Sequence, residues 1–135
     1  MSTKMKEKRE NKRAFFTLED NITASVEPHK NGGPVQVIIL SISAGGLSFV
    51  GARQKVSGIK EGDRFTLKGF EAPEPLGRID SVEAEVKYIL DHDVNIRVAF
   101  GCEFTKIPAS FVRRIEEYVN FRYREMGLED KNIQF

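Results

Sequence analysis

The sequence predicts a mainly β protein: a small antiparallel barrel or curved sandwich of short strands, completed by one amphipathic α-helix. Apolar residues recur at every second position in two long stretches, 82–90 and 96–104, which is the period of a half-buried strand. After Pro108 the apolar spacing changes to that of a helix. The 135 residues, 40% hydrophobic and 30% charged, suit one domain, large enough to bury a core without disulfide or metal staples.

Residues 1–13 are polar and without period, and read as a mobile basic arm. They hold six cations (Lys4, Lys6, Lys8, Arg9, Lys12, Arg13) against Glu7 and Glu10, a net of +4 in a chain of +1. The body is therefore about −3, and a basic arm on an acidic body favours an anionic partner. A strand is expected over 14–26, ending in Ile22, Ala24 and Val26 at period two. The crowded Pro, Asn and Gly of 27–34 make a turn. The β-branched run 35–40 reads as a buried strand, broken by "SAGG" and resumed in "LSFVG". Turn residues precede a strand over 64–70, and 71–77 reads as a loop.

The clearest strands follow. Val82, Ala84, Val86, Tyr88 and Leu90 share one face of the first, and Ile96, Val98, Phe100, Cys102 and Phe104 one face of the second. The short connection "DHDVN" makes them an antiparallel hairpin. In the helix over 108–126, Phe111, Val112, Ile115, Tyr118, Val119 and Met126 form the apolar stripe, covering a barrel mouth or flank. Pro108 suits its first turn and Gly127 its end. The expected units are the arm 1–13, the domain 14–127 and a tail 128–135.

Catalysis is not expected. His29 and His92 both fall in turns, and Asp91, His92 and Asp93 lie too close in one turn to close on a metal. Cys102 alternates with Phe100 and Phe104 and reads as a small core residue. A single cysteine forms no internal disulfide and fits a reducing compartment. No apolar run is long enough to span a membrane, and no secretory h-region is seen. Cytoplasmic residence is expected, with no membrane insertion.

Two short motifs stand out. Arg9 and Arg13 spell RxxxR before the first strand, and Ser41, Ser43 and Gly46 spell SxSxxG between the second and third. In this order, with "LSISAGGLSF" at 40–49 and "FGCEFTKI" at 100–107 before a helix, the chain resembles the PilZ domain family over roughly residues 8–121. The resemblance implies a split-barrel-like antiparallel barrel of six to seven strands with a C-terminal helix. It also implies a non-catalytic receptor for the bacterial second messenger cyclic di-GMP, needing no cofactor. Arginine suits such a ligand, because its planar fork matches phosphate oxygens and the O6/N7 edge of guanine, and its face stacks on bases.

The implied ligand residues are Arg9, Arg13, Ser41, Ser43 and Gly46, with Lys8, Lys12 and Gly45 as further candidates. Ligand would order the arm against the barrel and present a new surface to a protein partner, by resemblance in motility, pilus or exopolysaccharide machinery. The position of Lys8 is associated in the family with binding of one ligand or an intercalated pair, so stoichiometry stays open, as does the choice between monomer and homodimer. Ser41 departs from the family's Asp or Asn. A lost polar contact to a buried base costs about 1–3 kcal/mol. The departure leaves a second reading, a PilZ-like adaptor acting by protein contacts without nucleotide. A third, a single-strand nucleic-acid barrel suggested by the arm with Phe15 and Phe16, lacks exposed aromatics interleaved with basic residues, so no polymeric nucleic acid is expected.

Overall fold

A computed structural model describes residues 12–30, 32–92, 96–125 and 127. Among the described residues nine strands form in chain order: β1 (Arg13–Phe15), β2 (Thr23–Pro28), β3 (Val35–Ser43), β4 (Gly46–Ala52), β5 (Arg64–Lys68), β6 (Phe70–Ala72), β7 (Gly77–Ile79), β8 (Val82–Leu90) and β9 (Arg97–Lys106). Two helices join them, a single turn α1 (Arg53–Val56) and the long α2 (Ala109–Glu125). Six strands close a barrel in the order β3-β2-β5-β8-β9-β4, with β4 returning to β3, and every pairing is antiparallel. β1 lies outside the ring and, among the described residues, pairs with β3 alone. The expected small barrel with a terminal helix is therefore the fold.

Inward alternation fills the barrel. Val26, Ile39, Phe49, Leu67, Val82 and Ala84 are fully buried. Phe49 lies at the centre, stacked on Phe100 at 5.0 Å between ring centroids and edge-on to Phe65 at 5.8 Å. Removing such a ring typically costs about 3–5 kcal/mol. Helix α2 packs along β1 and β3, burying Ile115, Tyr118 and Val119, with Tyr118 stacked on Phe16. The Pro108 carbonyl receives the first helical bonds, from the amides of Phe111 and Val112. Gly127 follows at φ +72°, the left-handed stop that glycine favours. Met126 lies outside the described residues.

Four sequence expectations are corrected by the structure. The strand over 14–26 is two strands, β1 and β2, both on β3. Between them Thr17 and Asp20 form a reciprocal capping box around a single helical turn, and Asn21 adopts φ 50°, so the chain leaves the ladder and returns. Residues 71–77 are not simply a loop: β6 and β7 make a small hairpin, and its Leu76 is fully buried. Arg114 of α2 ties this hairpin down by donating to the carbonyl oxygens of Leu76 and Arg78. Tyr88 and Leu90 do not continue the inward face of β8. A bulge between Val86 and Tyr88 shifts the alternation, so Ile89 packs against the core while Tyr88 and Leu90 stand half exposed. Ile96, expected on the inward face, precedes β9 and is 79% exposed.

Candidate functional site

The turn between β3 and β4 is two residues long, Ala44 and Gly45. Beside it the pairing sets outward-facing residues in two transverse rows. Arg13 pairs with Ser43, Ser43 with Gly46, and Gly46 with Glu103. In the next row Phe15 pairs with Ser41, Ser41 with Ser48, Ser48 with Gly101, and Gly101 with Tyr88. Antiparallel partners point to the same side, so residues far apart in sequence share one small area of the barrel wall.

Arg13 is the first residue of β1, and its Nη1 donates to Ser41 Oγ at 2.9 Å. Ser41 and Ser48 share a hydroxyl–hydroxyl bond of 2.6 Å. Ser43 Oγ accepts from the Gly45 amide at 3.3 Å. Ser41 and Ser43 are both buried, and among the described residues no buried side-chain polar atom lacks a partner. Gly46 owes its identity to close packing: a Cβ there would lie 2.0 Å from the Cys102 carbonyl oxygen. The Gly45 carbonyl holds the turn by accepting from the Phe104 amide at 2.9 Å. Lys12 is exposed, its ammonium 5.3 Å from the centre of the Tyr123 ring. Arg9 and Lys8 lie outside the described residues. The structure thus brings Arg13, Ser41, Ser43, Gly45 and Gly46 to one place.

Several residues of this wall carry no motif. Phe15 and Tyr88 stand 65% and 50% exposed at the two ends of the second row. Between them lie only serine and glycine, and the Tyr88 ring covers Gly101 so closely that a Cβ there would meet Tyr88 Cζ at 2.1 Å. Arg122 of α2 holds the root of the arm. It donates to the Phe15 carbonyl at 2.9 Å and to the Tyr118 hydroxyl at 2.8 Å, with its guanidinium over the Phe16 ring. The helical period places Arg122 within the apolar stripe, one turn after Tyr118 and Val119, but no sequence signal pairs it with residue 15.

The other candidates are committed elsewhere. Arg53 bridges Asp91 at 2.7 Å and donates to the His92 carbonyl, while Asp93 lies outside the described residues. His29 bonds Thr66. Among the described residues no group of His, Cys, Asp and Glu is placed to hold a metal. Cys102 is buried, and burial pushes its thiol up to about 12, far from a reactive thiolate. Among the described residues no helix is long and apolar enough to cross a membrane.

The PilZ domain model matches residues 7–121. The chain belongs to the PilZ domain family. No curated protein matches it by sequence, but solved structures do by fold. The inhibitor of motility MotI/DgrA of Bacillus subtilis superposes with a TM-score of 0.67 at 20% identity, over 87% of this chain and 52% of that one. MrkH of K. pneumonia, solved as a c-di-GMP complex, gives 0.66 at 19% identity over 87% and 53%. The PilZ domain of YcgR from Escherichia coli, solved with c-di-GMP, gives 0.64 at 15% identity over 90% and 95%. The chain thus spans about half of the first two proteins and nearly all of an isolated PilZ domain.

Proposed function

We propose that this PilZ chain is a non-catalytic receptor for cyclic di-GMP, bound on the barrel wall between the root of the arm and the β3–β4 turn. The observation that carries the reading is the bond from Arg13 to Ser41, which joins the two motifs across 28 residues of sequence. Arg13 offers its remaining guanidinium N–H groups to a phosphate or to guanine O6 and N7. Arg9, four residues earlier, supplies the second fork, with Lys8 and Lys12 adding charge. The small residues Ser41, Ser43, Ser48 and Gly46 leave the wall low enough for a flat ligand to lie against it. Phe15 and Tyr88 offer exposed aromatic faces for its bases, a contact worth about 1–3 kcal/mol per base.

Ligand would fix Arg9 beside Arg13, and the ordered arm would present a new surface to a protein partner. Helix α2 is the second element to feel the change, because Arg122 grips Phe15 directly. By family, the partner belongs to motility, pilus or exopolysaccharide machinery. One observation favours the adaptor reading instead. Ser41, in the place of the family's Asp or Asn, is already satisfied by Arg13 and Ser48 without any ligand.

Calorimetric titration with cyclic di-GMP, against GMP and GTP, separates the two readings. Selective saturable binding at micromolar or lower concentration, lost in an R9A/R13A variant, supports the receptor, and its stoichiometry counts the ligands. Absence of binding supports the adaptor.

A further inference from the structure

We infer that Ser48, which belongs to neither motif, is a ligand-contacting residue: it presents its hydroxyl proton to an acceptor oxygen or nitrogen of the bound cyclic dinucleotide. The inference rests on the receptor reading and follows from counting protons along one hydrogen-bond chain. A serine hydroxyl has one proton and two lone pairs, and an arginine guanidinium only donates. Arg13 therefore uses a lone pair of Ser41, at 2.9 Å. Ser41 is 2% exposed, and beyond Arg13 its hydroxyl bonds to Ser48 at 2.6 Å. If Ser48 donated that bond, the Ser41 proton would be buried facing a donor-only arginine, without an acceptor, at the cost of an unmade hydrogen bond. Ser41 therefore donates to Ser48.

The chain then runs one way, from Arg13 to Ser41 to Ser48, and ends on the Ser48 proton. Ser48 is only half buried. It faces outward in the row that Phe15 and Tyr88 bound, and the next residue along, Gly101, is covered by the Tyr88 ring. A cationic donor at the head of the chain polarises both hydroxyls in the same sense and strengthens the last one as a donor. An Asp or Asn at position 41 would meet the ligand with its own longer side chain. Ser41 is too short for that reach and passes the contact to the neighbouring strand.

The test is cyclic di-GMP titration of the unsubstituted chain and of S48A, S48T and an S41D/S48A pair set against S41D, with thermal unfolding of each free protein. S48A is expected to weaken binding about tenfold, the size of one net hydrogen bond, and, because it leaves the buried Ser41 proton without its acceptor, to lower the unfolding temperature of the free protein as well. S48T keeps the hydroxyl and should restore binding. In the S41D background, removing Ser48 should change affinity less than in the native background. Undiminished affinity in a folded S48A variant, while R13A loses binding, overturns the role of Ser48 and leaves the receptor reading standing. Weaker binding in S48T equal to that of S48A also overturns it. Failure of the unsubstituted chain to bind overturns both readings together.

Discussion

Beside its turn the β3–β4 hairpin sets Ser41, Ser43, Ser48 and Gly46 on the outer wall, whereas the β8–β9 hairpin sets Glu83, Glu85 and Glu103 there. Both hairpins are antiparallel and both bury their other face in the same core. On β8–β9 the charges answer one another. Glu85 faces Glu103 across the ladder, an unfavourable pairing by itself, and Lys87 reaches both carboxylates at 3.3 and 3.4 Å. On β3–β4 the outer residues are short, and the one charge among them, Arg13, arrives from β1. Around Glu85 and Glu103 the long side chains pair with each other. The wall cut down to hydroxyls and glycine, with one arginine at its edge, is the one where we propose that the ligand lies.

If that contrast is correct, the largest effect follows removal of the edge arginine. R13A deletes charge-assisted bonds worth about 1.5–3 kcal/mol each and should lower cyclic di-GMP affinity more than a hundredfold, measured by calorimetry, with the fold retained by circular dichroism. The next variant tests whether the cut-down wall is also structural. G46A forces a Cβ towards the Cys102 carbonyl and should destabilise the chain by about 1–3 kcal/mol in urea unfolding, the usual cost of overpacking.

Cys102 sharpens the comparison from inside the wall. Its thiol is raised from 9.0 to about 12 by burial, so it stays protonated in the folded chain while the unfolded thiol ionises above its ordinary value. Stability from this group is present below that value and is lost as pH rises through it. Between about pH 8 and about pH 10 the loss is about 1.4 kcal/mol. The stability difference between the native chain and C102A, measured by guanidinium unfolding, should narrow by that amount. The smallest effect belongs to the opposite hairpin. K87A breaks weak ion pairs at the surface and leaves Glu85 opposite Glu103 unanswered, so it should lower the unfolding midpoint only slightly and leave ligand affinity unchanged; a large drop in either would blur the distinction between the two walls.

What could be read from the sequence was what local pattern encodes. Period two gave β8 and β9, the helical period gave α2 with its Pro108 and Gly127 boundaries, and RxxxR with SxSxxG marked Arg13, Ser41 and Ser43. The misses came from geometry that pattern does not carry. The bulge after Val86 turned Tyr88 outward, although its spacing from Val82 placed it inside. Thr17 and Asp20 are a capping pair in plain view, but the apolar residues on both sides suggested an unbroken strand. Ser48 was hidden because its meaning depends on facing Ser41, and Gly101 because it depends on the ring of Tyr88. Arg122 stands out in sequence only as a charge within the apolar stripe of the helix, and what it holds appears once β1 is laid beside it.

That last contact also bears on how the chain can be recruited. In a closed barrel every strand has two neighbours, so the ring offers no edge to an incoming strand. β1 is the exception in the seven-stranded sheet, paired with β3 along one side only. The Phe16 amide bonds back to Leu40, so by alternation the Phe15 carbonyl faces away from β3, and it is there that Arg122 donates. The helix thus plugs the open edge of the seven-stranded sheet, which leaves the short β6–β7 hairpin as the other strand edge among the described residues. Along β1, self-association by strand addition, a common route to aggregates, is blocked at its point of entry.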